Sequence, residues 1–172
     1  LFQLGEAYVE MKDLDKAIET FAEARRASPQ DPQLASYVIS ANLAGRKYAA
    51  AVDAAVAARA DNPDDVRLAR LHAQALAKTG KPDQGIAIVE AAVQQHTDDP
   101  FAFVALAQTY SEAERGPQAV KVLQDAQAKF PQDNAISFEL GSVFDKQKKF
   151  TEAEAAFRQV LSRDPDNAAA LN

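Results

Sequence analysis

Apolar residues recur along this chain at helical spacing, in successive pairs of stripes. Ile136, Leu140, Val143 and Phe144 fall on one helical face before the polar stretch Asp145 to Lys149. Phe150, Ala153, Phe157, Val160 and Leu161 then make a second stripe, closed by Asp164, Pro165 and Asp166. Steps of three and four residues between apolar positions mark the buried face of an amphipathic helix. The same rhythm opens the chain with Leu1, Leu4 and Tyr8, followed by Leu14, Ala17, Ile18, Phe21 and Ala24. No stretch alternates with period two among β-branched residues, so the pattern predicts helices and no sheet.

The prolines supply the period. Pro29, Pro63, Pro131 and Pro165 are separated by 34, 68 and 34 residues, and Pro32 and Pro100 by 68. A fixed period of this length is the mark of a solenoid, in which each unit buries its faces against its neighbours. The chain divides as 1–31, 32–65, 66–99, 100–133 and 134–167, with 168–172 opening a further unit. Each unit reads as helix, turn, helix, with second helices starting near Leu14, Tyr48, Pro82, Pro117 and Phe150. Every proline sits at a predicted helix boundary, where a missing N–H is tolerated. Asp31 and Asp99 precede Pro32 and Pro100 and read as N-caps.

These residues resemble the tetratricopeptide repeat (TPR), whose pattern is Trp-x2-Leu-Gly-x2-Tyr, Ala-x3-Phe, Pro. The first unit reads Leu1-x2-Leu4-Gly5-x2-Tyr8, Ala17-x3-Phe21, Pro29. The fifth reads Ser137-x2-Leu140-Gly141-x2-Phe144, Ala153-x3-Phe157, Pro165, and the fourth places Phe103, Leu106, Ala107, Tyr110, Ala119, Leu123 and Pro131 alike. Units two and three depart from it with Asn42 and Leu76 in the Tyr place, His72 in a Leu place, Gly85 in an Ala place and Thr97 in the Pro place. The resemblance implies an all-α, right-handed superhelical solenoid of antiparallel helix pairs.

Composition narrows the function. The chain has 172 residues, no cysteine and a formal net charge of -6. The acidic balance argues against a non-specific nucleic-acid partner, which needs surplus cations. No apolar run reaches the length of a membrane span. Without cysteine there is no disulfide and no thiolate chemistry. The two histidines, His72 and His96, lie 24 residues apart on different predicted helices, so no metal site and no cofactor is expected. His72 falls on an apolar stripe and reads as a buried packing residue; His96 reads as a helix C-terminal cap. Lys78-Thr79-Gly80 is explained as a turn, because the Ser-x-x-Lys that accompanies such a triplet in penicillin-binding enzymes is absent. The pairs Asp64-Asp65 and Asp98-Asp99 occupy equivalent turns and read as caps, while Lys146, Lys148 and Lys149 read as a solvated turn. This inventory argues against an enzyme.

The resemblance further implies that first helices line a concave groove. Their positions not used for packing include Phe2, Gln3 and Glu6, then Ser36, Tyr37 and Ser40, and the groove residues expected to contact a partner are Phe2, Tyr37, Arg67, Arg70, Leu71, Gln74, Phe101, Val104, Gln108, Phe138 and Ser142. Tyr37, Leu71, Phe101, Val104 and Phe138 are expected on the wall as apolar anchors, with polar groups fixing register. The Lys/Asn clamp by which some relatives hold a carboxylate is not matched, since Phe2, Glu6, Ser36 and Ser40 stand in those places. The expected function is a protein-interaction scaffold that holds an extended or helical segment of a partner protein. The alternative is a structural or self-assembling solenoid that spaces or oligomerises. Alanine, about a fifth of the sequence, points to a bacterial source. The opening at Leu1, inside a first helix, reads as a fragment of a longer chain, and its ends, with Leu1, Leu4, Phe144, Phe157, Val160 and Leu161 uncovered, are expected to associate end to end with other copies.

Overall fold

The structure is a computed structural model that describes residues 1–171; Asn172, the last position of the expected unit opening at 168–172, lies outside the described residues. The described residues form eleven helices and no strand: α1 (Phe2–Glu10), α2 (Leu14–Ala27), α3 (Pro32–Ala44), α4 (Tyr48–Asp61), α5 (Val66–Lys78), α6 (Pro82–Gln95), α7 (Pro100–Glu112), α8 (Gly116–Lys129), α9 (Asn134–Lys146), α10 (Phe150–Arg163) and α11 (Ala168–Leu171). The all-α expectation is met. Helix α8 begins at Gly116, one residue before the expected Pro117, which leaves the proline in the first turn where no N–H is required.

Capping explains why helices start where they do. Asp31, Asp65, Asp99 and Asp133 are N-caps of α3, α5, α7 and α9, each accepting from a backbone N–H two or three residues on. Asp65 accepts from Arg67 N at 2.8 Å and Leu68 N at 3.1 Å. Only the second member of each acidic pair is the N-cap, and Asp98 instead meets Lys129 Nζ at 3.1 Å. Helix α2 is capped by Asp13, whose carboxyl is held below its usual range by the side-chain and backbone hydrogen bonds of Lys16. The turns between paired helices share one device. Lys12, Arg46, Gly80, Glu114 and Lys148 all have φ between 57 and 79°, and they stand 34 residues apart. In each turn the following N–H reaches back five residues to a helical carbonyl, as from Asp13 to Tyr8 and from Lys149 to Phe144. This left-handed C-terminal motif satisfies carbonyls that the helix end would otherwise orphan.

Two compact units result, Leu1–Ala92 and a second from Val93 onward. In the first, α1 packs on α2, α3 on α4, α2 on α3, α4 on α5, and the first helices α3 and α5 also meet. Ala17, Phe21, Val38 and Ala41 form one buried cluster, and Ala35, Ile39, Ala51, Ala55, Ala58, Leu68, Leu71 and Ala75 another. In the second unit α7 packs on α8, α8 on α9, α7 on α9, α9 on α10 and α10 on α11. Its core joins Val104, Ala107, Leu123, Ile136, Leu140 and Val143. Small residues mark the closest approaches. A Cβ on Gly141 would stand 2.6 Å from Phe157 Cε1, and one on Gly5 would strike the Phe21 ring in the same way. Gly85 replaces the alanine of other units because a Cβ there would lie 2.8 Å from the Ala73 carbonyl oxygen. Val160, expected to lack cover, is fully buried.

Candidate binding groove

The first helices bury one broad face and leave a strip of side chains outside the cores. On α5 the buried face takes Val66, Leu68, Ala69, Leu71, His72, Ala73, Ala75 and Leu76. Arg67, Arg70, Gln74 and Lys78, three or four residues apart, remain on the open side. Arg67 bonds its own cap through Asp65 Oδ2 at 3.1 Å. Leu71 was expected on the wall but is a core residue, 6% exposed. The contact between α3 and α5 accounts for this: a first helix flanked by another first helix buries more of its circumference than a single stripe.

In the first unit the sequence-expected aromatics come together. Phe2 of α1 meets Tyr37 of α3 edge-on at 4.8 Å, and Tyr37 stacks on Phe21 of α2 at 5.2 Å. Beside them opens a cavity of about 420 Å³ lined by Glu6, Val9, Glu10, Leu14, Phe21, Tyr37, Ser40, Ala41 and Ala44. Its floor is apolar and aromatic, and its only charged lining residues are two glutamates one helical turn apart. Glu6 and Ser40 already stood among the unpacked first-helix positions. Val9, Glu10 and Ala44 were missed, although Glu10 and Ala44 share one place in the 34-residue period.

The second unit has its own strip on α7 and α9. Phe101 is 41% exposed. Val104, expected beside it, is buried at 7% in the contact between α7 and α9. Gln108 Nε2 donates to Glu139 Oε2 at 2.9 Å, tying the two strips together. Phe138 is half-buried against Phe157, 5.5 Å between ring centres, and Ser142 Oγ donates to the Phe138 carbonyl at 3.1 Å. The Phe138 and Ser142 side chains thus serve packing and the helix itself.

The remaining polar residues do not converge on a reactive centre. His72 is buried, and its Nδ1 lies 3.5 Å from Arg59 Nη1; burial first, and the guanidinium second, push its pKa below the usual value. His96 Nε2 is buried without a hydrogen-bond partner, so this nitrogen does not serve the expected cap. Lys146 reaches Ser111 Oγ at 3.4 Å and Lys149 lies over the Phe144 ring at 5.9 Å. Among the described residues no group of three or more His, Asp or Glu is placed to hold a metal ion, and no helix is long and apolar enough to cross a membrane.

Family models described as tetratricopeptide repeat match residues 39–100, 104–171 and 1–31. No curated protein matches the chain. Among solved structures, a thermophilic TPR protein of Thermus thermophilus is similar with a TM-score of 0.73 at 16% identity, over 99% of this chain and 93% of that one. YrrB, a TPR protein with an unusual peptide-binding site, is similar with a TM-score of 0.56 at 14% identity, over 99% and 88% of the two chains. PilF of Pseudomonas aeruginosa is similar with a TM-score of 0.64 at 15% identity, over 99% and 78%.

Proposed function

The chain belongs to the tetratricopeptide repeat family, a family of protein-interaction folds, and we propose that it is a scaffold that holds a segment of a partner protein against its first helices. The observation that carries this reading is the open aromatic cavity between α1 and α3, beside the stacked Phe21 and Tyr37. A concave, largely apolar site with a few polar groups at its edge is the usual form of a recognition pocket. Phe101 supplies a second exposed aromatic on α7. Aromatic side chains at such places concentrate binding energy because they remove much apolar surface from water with few rotors to immobilise. A fold neighbour with a peptide-binding site, YrrB, supports the same class of ligand.

The test is selection of peptides from a phage-displayed random 12-residue library on the immobilised protein. Tyr37→Ala and Phe101→Ala should each lower retention of selected peptides about tenfold, equivalent to ~1.4 kcal/mol, and Arg70→Glu should change which sequences are retained. Glu23→Lys on α2 and Lys121→Glu on α8, both exposed on second helices, should change little, and circular dichroism should show intact helices throughout. Retention that depends on the second-helix positions and ignores the first-helix ones would place the binding surface on the other side.

A further inference from the structure

The cavity between α1 and α3 carries a chemical preference as well as a shape. Its floor is formed by Val9, Leu14, Phe21, Tyr37, Ala41 and Ala44, and its only charged residues are Glu6 and Glu10. Among the described residues the carboxylate of neither glutamate has a hydrogen-bond or ion-pair partner, so both are available to an incoming group. Further along the same unit the open strip of α5 has the opposite sign, with Arg67, Arg70 and Lys78. Resting on the reading of the first helices as a partner groove, we propose that this cavity recognises a segment carrying a lysine or arginine next to a large apolar residue.

The apolar residue fills the floor against the stacked Phe21 and Tyr37, and the cation lies between the two carboxylates. Glu10 is exposed and Glu6 partly buried, so their attraction for the cation is an electrostatic preference that salt weakens. The arginines and lysine on α5 repel a second cation and confine the basic residue to the α1–α3 end. Charge complementarity of this kind fixes register and partner choice. The arrangement is opposite in sign to a clamp for a peptide carboxylate, for which Glu6 and Ser40 are the wrong residues.

Three capped eight-residue peptides test this on the intact chain: alternating lysine and leucine, alternating glutamate and leucine, and alternating serine and leucine. Backbone amide shifts are followed by NMR at low ionic strength and again at about 0.5 M salt, where screening is strong. The lysine peptide should saturate shifts at Glu6, Val9, Glu10, Tyr37, Ser40 and Ala44, at least tenfold more tightly than the glutamate peptide, with the serine peptide between them. Glu6→Lys with Glu10→Lys should reverse that order. Glu19→Lys with Glu23→Lys, on the exposed face of α2, makes the same change in net charge and should preserve it. Equal binding of lysine and glutamate peptides in the cavity would overturn the charge preference and leave the groove reading intact. Equal loss from the α2 control would assign the preference to net charge and overturn the site. Concentration-dependent shifts at these residues in the free protein would make a second copy the occupant, which also overturns it. If no peptide shifts any first-helix residue, the groove reading falls with it.

Discussion

Most buried polar side chains in this protein solve their hydrogen bonding within one helical turn, and His72 does not. Thr20, Asn42, Thr109 and Ser137 each donate to the carbonyl four residues earlier, at 2.7 to 3.3 Å. His72 on α5 instead faces Arg59 on α4, with Nδ1 as acceptor and Nη1 as donor. Protonating Nδ1 would place a second positive charge against the guanidinium in a buried site, so the folded pKa lies below 6.5, from burial first and Arg59 second. Between that folded value and 6.5 the unfolded chain binds more protons than the folded one. Stability from this residue is therefore complete above the unfolded value and is lost as pH falls through 6.5 toward the folded value. In urea unfolding, the wild-type midpoint should fall between about pH 7 and 5 more steeply than that of His72→Leu. Parallel profiles would show that His72 does not titrate differently on folding. The slope is the readout, since the leucine also leaves Arg59 without its acceptor. That His72 is buried could be read from its place on an apolar stripe. The burial of Leu71 and Val104 could not, because it arises where the first helices of two successive repeats meet, α3 with α5 and α7 with α9, a contact that no single stripe records.

At the scale of the element, the paired helices are joined by turns whose regularity is stronger in the backbone than in the residues. Five equivalent residues adopt positive φ, yet only Gly80 advertises the turn in the sequence. Lys12, Arg46, Glu114 and Lys148 occupy the left-handed region with a Cβ, a conformation that costs an L-residue ~1 kcal/mol or more relative to glycine. Their side chains read as ordinary solvated charges, so nothing in their identity discloses the backbone state. Replacing each with glycine relieves that cost, against the greater freedom glycine has when unfolded. The combined Lys12→Gly, Arg46→Gly, Glu114→Gly and Lys148→Gly variant should be more stable by roughly 1 to 3 kcal/mol, and Gly80→Ala less stable by ~1 kcal/mol. Chemical denaturation measures both, and a destabilised quadruple variant would show that these side chains contribute more than the strain removes. The caps of α3, α5 and α7 were easier to read, since an aspartate just before each of those apolar stripes has one efficient use.

At the scale of the whole molecule, the period of 34 was legible because prolines recur at its helix boundaries and because the first, fourth and fifth repeats present similar small and large residues to their neighbours. The cores built on that period differ in what fills them. Five of the eight residues in the α3–α4–α5 cluster are alanine: Ala35, Ala51, Ala55, Ala58 and Ala75. The cluster built on α7, α8, α9 and α10 has four alanines among its nine buried residues, but its other five are Val104, Leu123, Ile136, Leu140 and Val143, and the large rings of Phe103, Tyr110, Phe130 and Phe144 pack against it. An alanine in place of a large buried side chain forgoes ~2 kcal/mol of burial. In a repeat array, stability is close to a sum over units and their nearest neighbours, so a weak stretch opens locally without unfolding the rest. Alanine's high helix propensity keeps α4 helical without supplying the packing that would hold it down. Hydrogen exchange under native conditions should therefore be at least tenfold faster over residues 35–95 than over 103–161, a difference of ~1.4 kcal/mol in opening free energy. Enlarging the poor core tests the cause: Ala55→Val, at a fully buried position of α4, should slow exchange in 35–95 if the cluster is underfilled. Uniform protection along the chain would mean that alanine packing suffices, and faster exchange in the variant would mean that the helices already close fully on one another.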